Sequence, residues 1–266
     1  MTPILLDQSA ALCDRLAATL EAIVISDRWV AHHRGCDRPS RWQQGLMQTA
    51  QACATGEPLT AQVWQPHFHR LGEPAAVLIN ALPYLWLKAD AHSHHRATVE
   101  GWLTDLQLPP AEAKACKDLF LLLCGEMRHA TPGRHRSPVA PAFNWRFSGE
   151  PEPELGQALA LVAQSQGQMA VALKVAAQRG WGSATIALVG LLVGLTGGRA
   201  SLGAKLRQRW LIDYSDPNAG TPDADPWHLL DAHHLEAIAT ELHHRWAGLG
   251  AYSTLPEPAF PLGIRV

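Results

Sequence analysis

The densest chemistry in this sequence is histidine, which comes in close sets: His67 and His69, then His92, His94 and His95, then His233 with His234, and His243 with His244. A helix offers two imidazoles to one metal ion when they stand three or four residues apart, because only that spacing puts them on a shared face. Residues adjacent in sequence diverge instead. His233 and His244 would stand about 16 Å apart along a helix, too far to share an ion. The histidines therefore read as solvated or capping residues, with metal binding as the alternative.

Other carriers of chemistry are sparse. No G-x-S-x-G occurs, and the serines closest to histidines, Ser93 and Ser137, have no acid paired with them in sequence. The glycine-rich LTGGRASLGAK lacks the spacing of a phosphate loop and follows a helical pattern where a strand is required. It reads as a helix end at Gly197 and Gly198 followed by a new helix start. Cys13, Cys36, Cys53, Cys116 and Cys124 are odd in number, scattered and never C-x-x-C, which argues against a disulfide framework and a zinc site. A reducing, cytoplasmic setting fits them best. Of the tryptophans, Trp29, Trp42, Trp181 and Trp210 fall at expected helix ends, where large aromatics complete a core or line a groove.

The elements that must position these groups are helices. Apolar residues recur at helical spacing over 5–30, 45–54, 74–87, 94–106, 110–127, 154–164, 168–178, 185–196 and 227–246, and no segment alternates convincingly as a strand. Start signals support the pattern: Thr2 before Pro3, the prolines and Glu112 of LPPAEAK, and Asp225 before Pro226. Proline-rich stretches at 129–154 and 213–226 interrupt it as loops, and the tail from Tyr252 is too rich in proline for a helix. At 266 residues and 47% hydrophobic content, the whole span 1–266 reads as a single all-α domain.

Net charge bounds the partners. At -2, the chain has no global attraction for nucleic acid or for an anionic membrane. The longest apolar run, 184–197, falls short of the ~20 residues that span a bilayer. The opening 27 residues carry Asp7, Asp14, Arg15 and Glu21 through an apolar pattern, as an amphipathic helix does and an export leader does not.

One stretch stands out: RGWGSATIALVGLLVGLTGG, residues 179–198, a glycine-stepped apolar helix entered through a turn that bears no carboxylate, histidine or cysteine. Together with the preceding alanine-rich segment and the following RASLGAKLRQRW, it resembles the C-terminal half of the ADP-ribosylglycohydrolase family, of the dinitrogenase-reductase-activating glycohydrolase type. There a G-G-D-[ST]-D-T turn precedes a buried helix with glycines four apart. Aligned on Gly190 and Gly194, the motif aspartates fall on Trp181 and Ser183; shifted by one residue, they fall on Gly182 and Ala184. The likeness extends to LAATLEAIVISDRWV, where Asp27 matches the aspartate closing the family's first helix. It also extends to RPSRWQQGLMQTAQACATGEPL, where Ser40, Arg41 and Trp42 stand in place of T-D-D-T, and to EPAAVLINALPYLWLKAD.

The resemblance implies an all-α orthogonal bundle with a dinuclear Mg²⁺ site that positions ADP-ribose for hydrolysis. Two adjacent divalent ions need a cluster of carboxylates to offset their repulsion, and Mg²⁺ needs hard oxygen ligands. This sequence has replaced those carboxylates. The expectation is a catalytically inactive member without a cofactor, a protein-binding or regulatory module with an unknown protein partner. Its former cleft would gather Asp27, Arg41, Trp42, Trp181 and Ser183, with Arg41 pairing Asp27. The alternative is an enzyme or sensor that still binds ADP-ribose or a related nucleotide through Asp27, Ser183 or a histidine-bound metal. An unrelated all-α scaffold is the third reading.

Overall fold

The computed structural model describes residues 3–36, 38–90, 92–129, 150–213 and 230–249, with only the backbone described for 3–10 and 129. Among them the chain is helical throughout, with no strand. In order come α1 (Pro3–Arg34), α2 (Arg41–Thr55), α3 (Ala61–His69), α4 (Pro74–Lys88), α5 (Arg96–Asp105), α6 (Pro110–His129), α7 (Pro153–Gln164), α8 (Met169–Gln178) and α9 (Ser183–Gly197). Two single turns, α10 (Arg199–Leu202) and α11 (Ala204–Arg207), lead into a π-helical turn at Gln208–Ile212, and α12 (Ala232–Trp246) closes the described chain.

Most boundaries follow the apolar period, and the departures have local causes. α3 is not visible in the apolar period because its buried residues are only Trp64 and Phe68, a narrow stripe crossed by Pro66. α2 begins ahead of Gly45 because its polar first turn follows Ser40 at the cap. α12 is capped by Asp231, whose carboxylate accepts the His234 N–H at 2.7 Å. The expected cap at Asp225, the one at Thr2, most of both proline-rich loops and the C-terminal tail lie outside the described residues.

α9 lies at the centre, buried at Ala184 and from Ile186 to Thr196. It packs along α1, and α4 and α7 also flank it, while α12 lies against α1, α2 and α4. The α1–α9 contact is close enough that no side chain fits. A Cβ on Gly194 would stand 2.6 Å from the Ala18 carbonyl oxygen and 2.7 Å from Thr19 Cα, and one on Gly190 would stand 2.8 Å from the Ala22 carbonyl oxygen. On α1 the matching residues Ala18, Ala22 and Ser26 recur every fourth position and are small. Gly194 opposes Ala18 and Gly190 opposes Ala22 and Ser26, so the two helices run antiparallel.

Charge anchors the other side of α1. Glu21, fully buried, accepts from Arg207 Nε at 2.8 Å, Arg207 Nη2 at 3.0 Å and Arg199 Nε at 3.1 Å. Arg28, also buried, donates from Nη1 to the Trp210 carbonyl at 2.6 Å. These bonds tie the short turns after α9 back onto α1, so the C-terminal end of α9 is held against that long helix.

Candidate functional site

The antiparallel register places the last turns of α1 beside the start of α9. Asp27 follows Ser26, the residue packed on Gly190, and is 1% exposed. Ser40, the N-cap of α2, turns its polar groups onto it: the Ser40 N–H donates to Asp27 Oδ2 at 2.8 Å, and the Ser40 hydroxyl donates to Oδ1 at 2.5 Å. Burial pushes the Asp27 carboxyl up to about 6, and the two bonds from Ser40 only partly oppose it. Ser183, the first residue of α9, has its Oγ 3.5 Å from Ser40 Oγ and accepts the Trp42 indole N–H at 3.2 Å. Three helices thus meet in one hydrogen-bonded cluster.

A second layer holds Trp42 in place. Its carbonyl oxygen accepts from Asn80 Nδ2 at 2.9 Å, and the same nitrogen donates to the Ala76 carbonyl within α4. Asn80 Oδ1 lies 3.0 Å from His67 Nε2, so that nitrogen carries the proton of a neutral imidazole. Burial lowers the His67 pKa, which keeps the ring neutral near pH 7. Gly45 permits this approach, since a Cβ there would stand 2.8 Å from His67 Nε2 and closer still to Asn80 Oδ1.

Of the residues expected in the cleft, Asp27, Trp42 and Ser183 come together directly. Trp181 sits beside them, half-buried, its carbonyl accepting from Arg34 Nη2 at 3.1 Å and its ring 5.4 Å beneath the Arg179 guanidinium. Arg41 does not pair with Asp27. It is exposed, both Asp27 oxygens are taken by Ser40, and among the described residues the charged neighbour acting on Asp27 is Arg28. The sequence reading missed Ser40 as the partner of Asp27, and it missed Asn80 and His67 altogether. The N-cap position of Ser40 was the available signal for the first.

These residues do not fit a dinuclear Mg²⁺ centre. The cluster supplies one carboxylate, two hydroxyls and an indole N–H, and a donor proton facing the site opposes a cation. Among the described residues, no group of three or more His, Cys, Asp or Glu side chains stands where it would hold a metal ion. Several described histidines have other neighbours: His69 Nε2 lies 3.1 Å from the Leu106 carbonyl, His94 Nδ1 lies 3.5 Å from Asp90 Oδ2, and His243 is buried and stacked on Trp246. The cysteines are unpaired, and burial pushes the Cys53 thiol up to about 12, far from a reactive thiolate.

No protein-family model, curated protein or solved structure matches this chain. The likeness to ADP-ribosylglycohydrolases rests on the residues quoted from the sequence, and the function is argued from the chemistry of the cluster. That chemistry is modest. Asp27 is too enclosed to meet a substrate, and neither serine has a histidine within hydrogen-bonding reach among the described residues.

Proposed function

We propose that this chain is a catalytically inactive relative of the ADP-ribosylglycohydrolases, working as a protein-binding or regulatory module. The observation that carries the reading is the closed hydrogen-bonded set of Asp27, Ser40, Trp42 and Ser183. Residues that the resemblance aligns with three separate motifs of that family, distant in sequence, meet at one point, and the groups now there satisfy one another. A metal-binding carboxylate cluster is stabilised by its ions; this cluster is stabilised by neutral donors and a carboxyl that protonates near pH 6.

The test is direct. Purified protein is assayed for hydrolysis of ADP-ribosyl-arginine and of O-acetyl-ADP-ribose with Mg²⁺ and with EDTA, alongside calorimetry against ADP-ribose and Mg²⁺. The expected result is no turnover and no Mg²⁺-dependent binding. Mg²⁺-stimulated hydrolysis that EDTA abolishes would refute the reading, and tight Mg²⁺-dependent uptake of ADP-ribose would favour the nucleotide-binding alternative. Restoring aspartates by W181D with S183D is expected to leave the protein inactive, because the Ser40–Arg41–Trp42 segment still lacks its acids.

A further inference from the structure

The rim of the same site carries a charge pattern that the hydrogen-bonded cluster does not use. Arg34 at the end of α1, Arg38 in the following turn, Arg41 at the start of α2 and Arg179 after α8 are all exposed, and none pairs with a carboxylate among the described residues. They are neighbours through their partners. Arg34 bonds the Trp181 carbonyl, Arg179 lies over the Trp181 ring, and Arg38 and Arg41 flank Ser40, which touches Asp27 and lies beside Ser183. Some arginines elsewhere are matched with acids, Arg15 with Glu126, Arg96 with Glu100, and Arg199 and Arg207 with Glu21, whereas here four unmatched ones gather around a single indole. At this rim no described carboxylate forms an ion pair with these arginines; Asp27 is taken up by Ser40, and Glu73 is exposed near Gly182.

Two of these arginines are also held in position by neutral partners. Arg34 is fixed by the Trp181 carbonyl, and Arg179 by Gln164 Oε1 at 3.1 Å and by the indole face. A guanidinium already ordered by a neutral group keeps its charge for a partner and loses little side-chain entropy when one arrives. Half-buried Trp181 between them supplies the apolar centre that protein interfaces favour alongside arginine.

We propose that this arginine rim around Trp181 docks an acidic segment of a partner protein. The proposal deepens the module reading above by naming the partner's chemistry, and it rests on that reading. Spaced glutamates or aspartates on an extended peptide reach successive guanidinium groups as bidentate pairs. A nucleic-acid track is disfavoured, because a polyanion needs a longer basic surface than four arginines gathered around one indole and the chain as a whole carries a net charge of -2.

The experiment uses the full chain and fluorescence anisotropy with three fluorescein-labelled probes. These are a peptide of alternating glutamate and glycine, the same peptide with glutamine for glutamate, and a single-stranded RNA of similar length. The glutamate peptide should bind saturably and weaken with added salt, and the glutamine peptide should not bind. R34Q, R41Q and R179Q should each weaken binding by roughly three- to tenfold, and R96Q, remote on α5, should leave it unchanged. Arg41 is exposed and makes no side-chain bond among the described residues, so R41Q decides the matter even where another variant is destabilised. Equal binding of both peptides, equal weakening by R96Q, or tighter binding of the RNA overturns the proposal. Hydrolysis of ADP-ribosyl-arginine would sink the inactive-module reading and leave this result standing; absence of peptide binding would do the reverse.

Discussion

Substituting Gly194 by alanine tests the core of the structural argument, because its sign is diagnostic. In an open helix, Gly→Ala stabilises by about 1 kcal/mol through lost chain freedom and better helix propensity. At Gly194 the new methyl would meet the Ala18 carbonyl oxygen at 2.6 Å and Thr19 Cα at 2.7 Å. Ordinary carbon contacts lie near 3.5 Å or beyond, so α1 and α9 would have to separate by roughly 1 Å. The obstructing atoms are backbone and cannot rotate away. Set against the propensity gain, such overpacking leaves a net loss of about 1–3 kcal/mol, a fall in Tm of roughly 2–6 °C for a chain of this size. Gly101 in α5 and Gly125 in α6 provide the controls, since a Cβ at either meets nothing within 4 Å. Thermal melts followed by circular dichroism, with urea unfolding as a second measure, should show G101A and G125A at or above wild type and G194A below it. A G194A protein that melts higher than wild type would refute the close crossing of α1 and α9.

Asp27→Asn should change the pH dependence of stability. The folded carboxyl titrates near 6 against an ordinary 3.8, so the folded state holds the proton more tightly and wild type loses stability as pH rises through that window. Asparagine does not ionise, and its amide can accept from the Ser40 N–H and donate to Ser40 Oγ. D27N should therefore be more stable than wild type at pH 7 by roughly 1–3 kcal/mol, with the gap closing toward pH 4; parallel stability profiles would contradict this. Trp42→Phe removes the indole N–H from Ser183 and should cost about 1 kcal/mol in urea unfolding, and a neutral result would mean the bond at 3.2 Å contributes nothing. Asn80→Ala leaves the Trp42 carbonyl and His67 Nε2 short of a partner, so a loss of about 1–3 kcal/mol is expected and an unchanged urea midpoint would count against that layer. Glu21→Gln should cost a similar amount, below the roughly 3–5 kcal/mol of a wholly buried pair because both arginines reach solvent, and adding salt should not rescue it.

Where burial alone defines an element, the sequence was readable. α9 is apolar on every side, so its span and its burial followed from composition, and the glycines four apart announced a smooth face. α4, α7 and α8 were equally plain because their apolar residues recur at helical spacing. α3 was not, since two buried aromatics do not make a detectable period. At the site, Asp27, Trp42 and Ser183 were chosen from the likeness of three motifs to those of one family. The bonds among them were beyond the sequence because they depend on how far the α1–α9 register carries each side chain. Arg41 shows the limit most clearly: nearness in sequence to the aligned ligand position suggested a pairing with Asp27, yet Ser40 is the extended cap residue that turns in while Arg41, the first helical residue, faces solvent.

The interlocked crossing of α1 and α9 also determines how separable the parts of this molecule are. Gly194, where the backbones come closest, stands about 16 Å along α9 from Ser183. Substitutions that far apart, with no shared partner, contribute to stability additively. A change at Trp181 or Ser183 therefore leaves the glycine crossing undisturbed, and its cost falls on the neighbours it touches, Ser40, Trp42 and the two arginines beside the indole. A site mounted on flexible loops would have to rebuild its supports with every such change, whereas here the first residues of α9 can be exchanged while the helices beneath keep the same register.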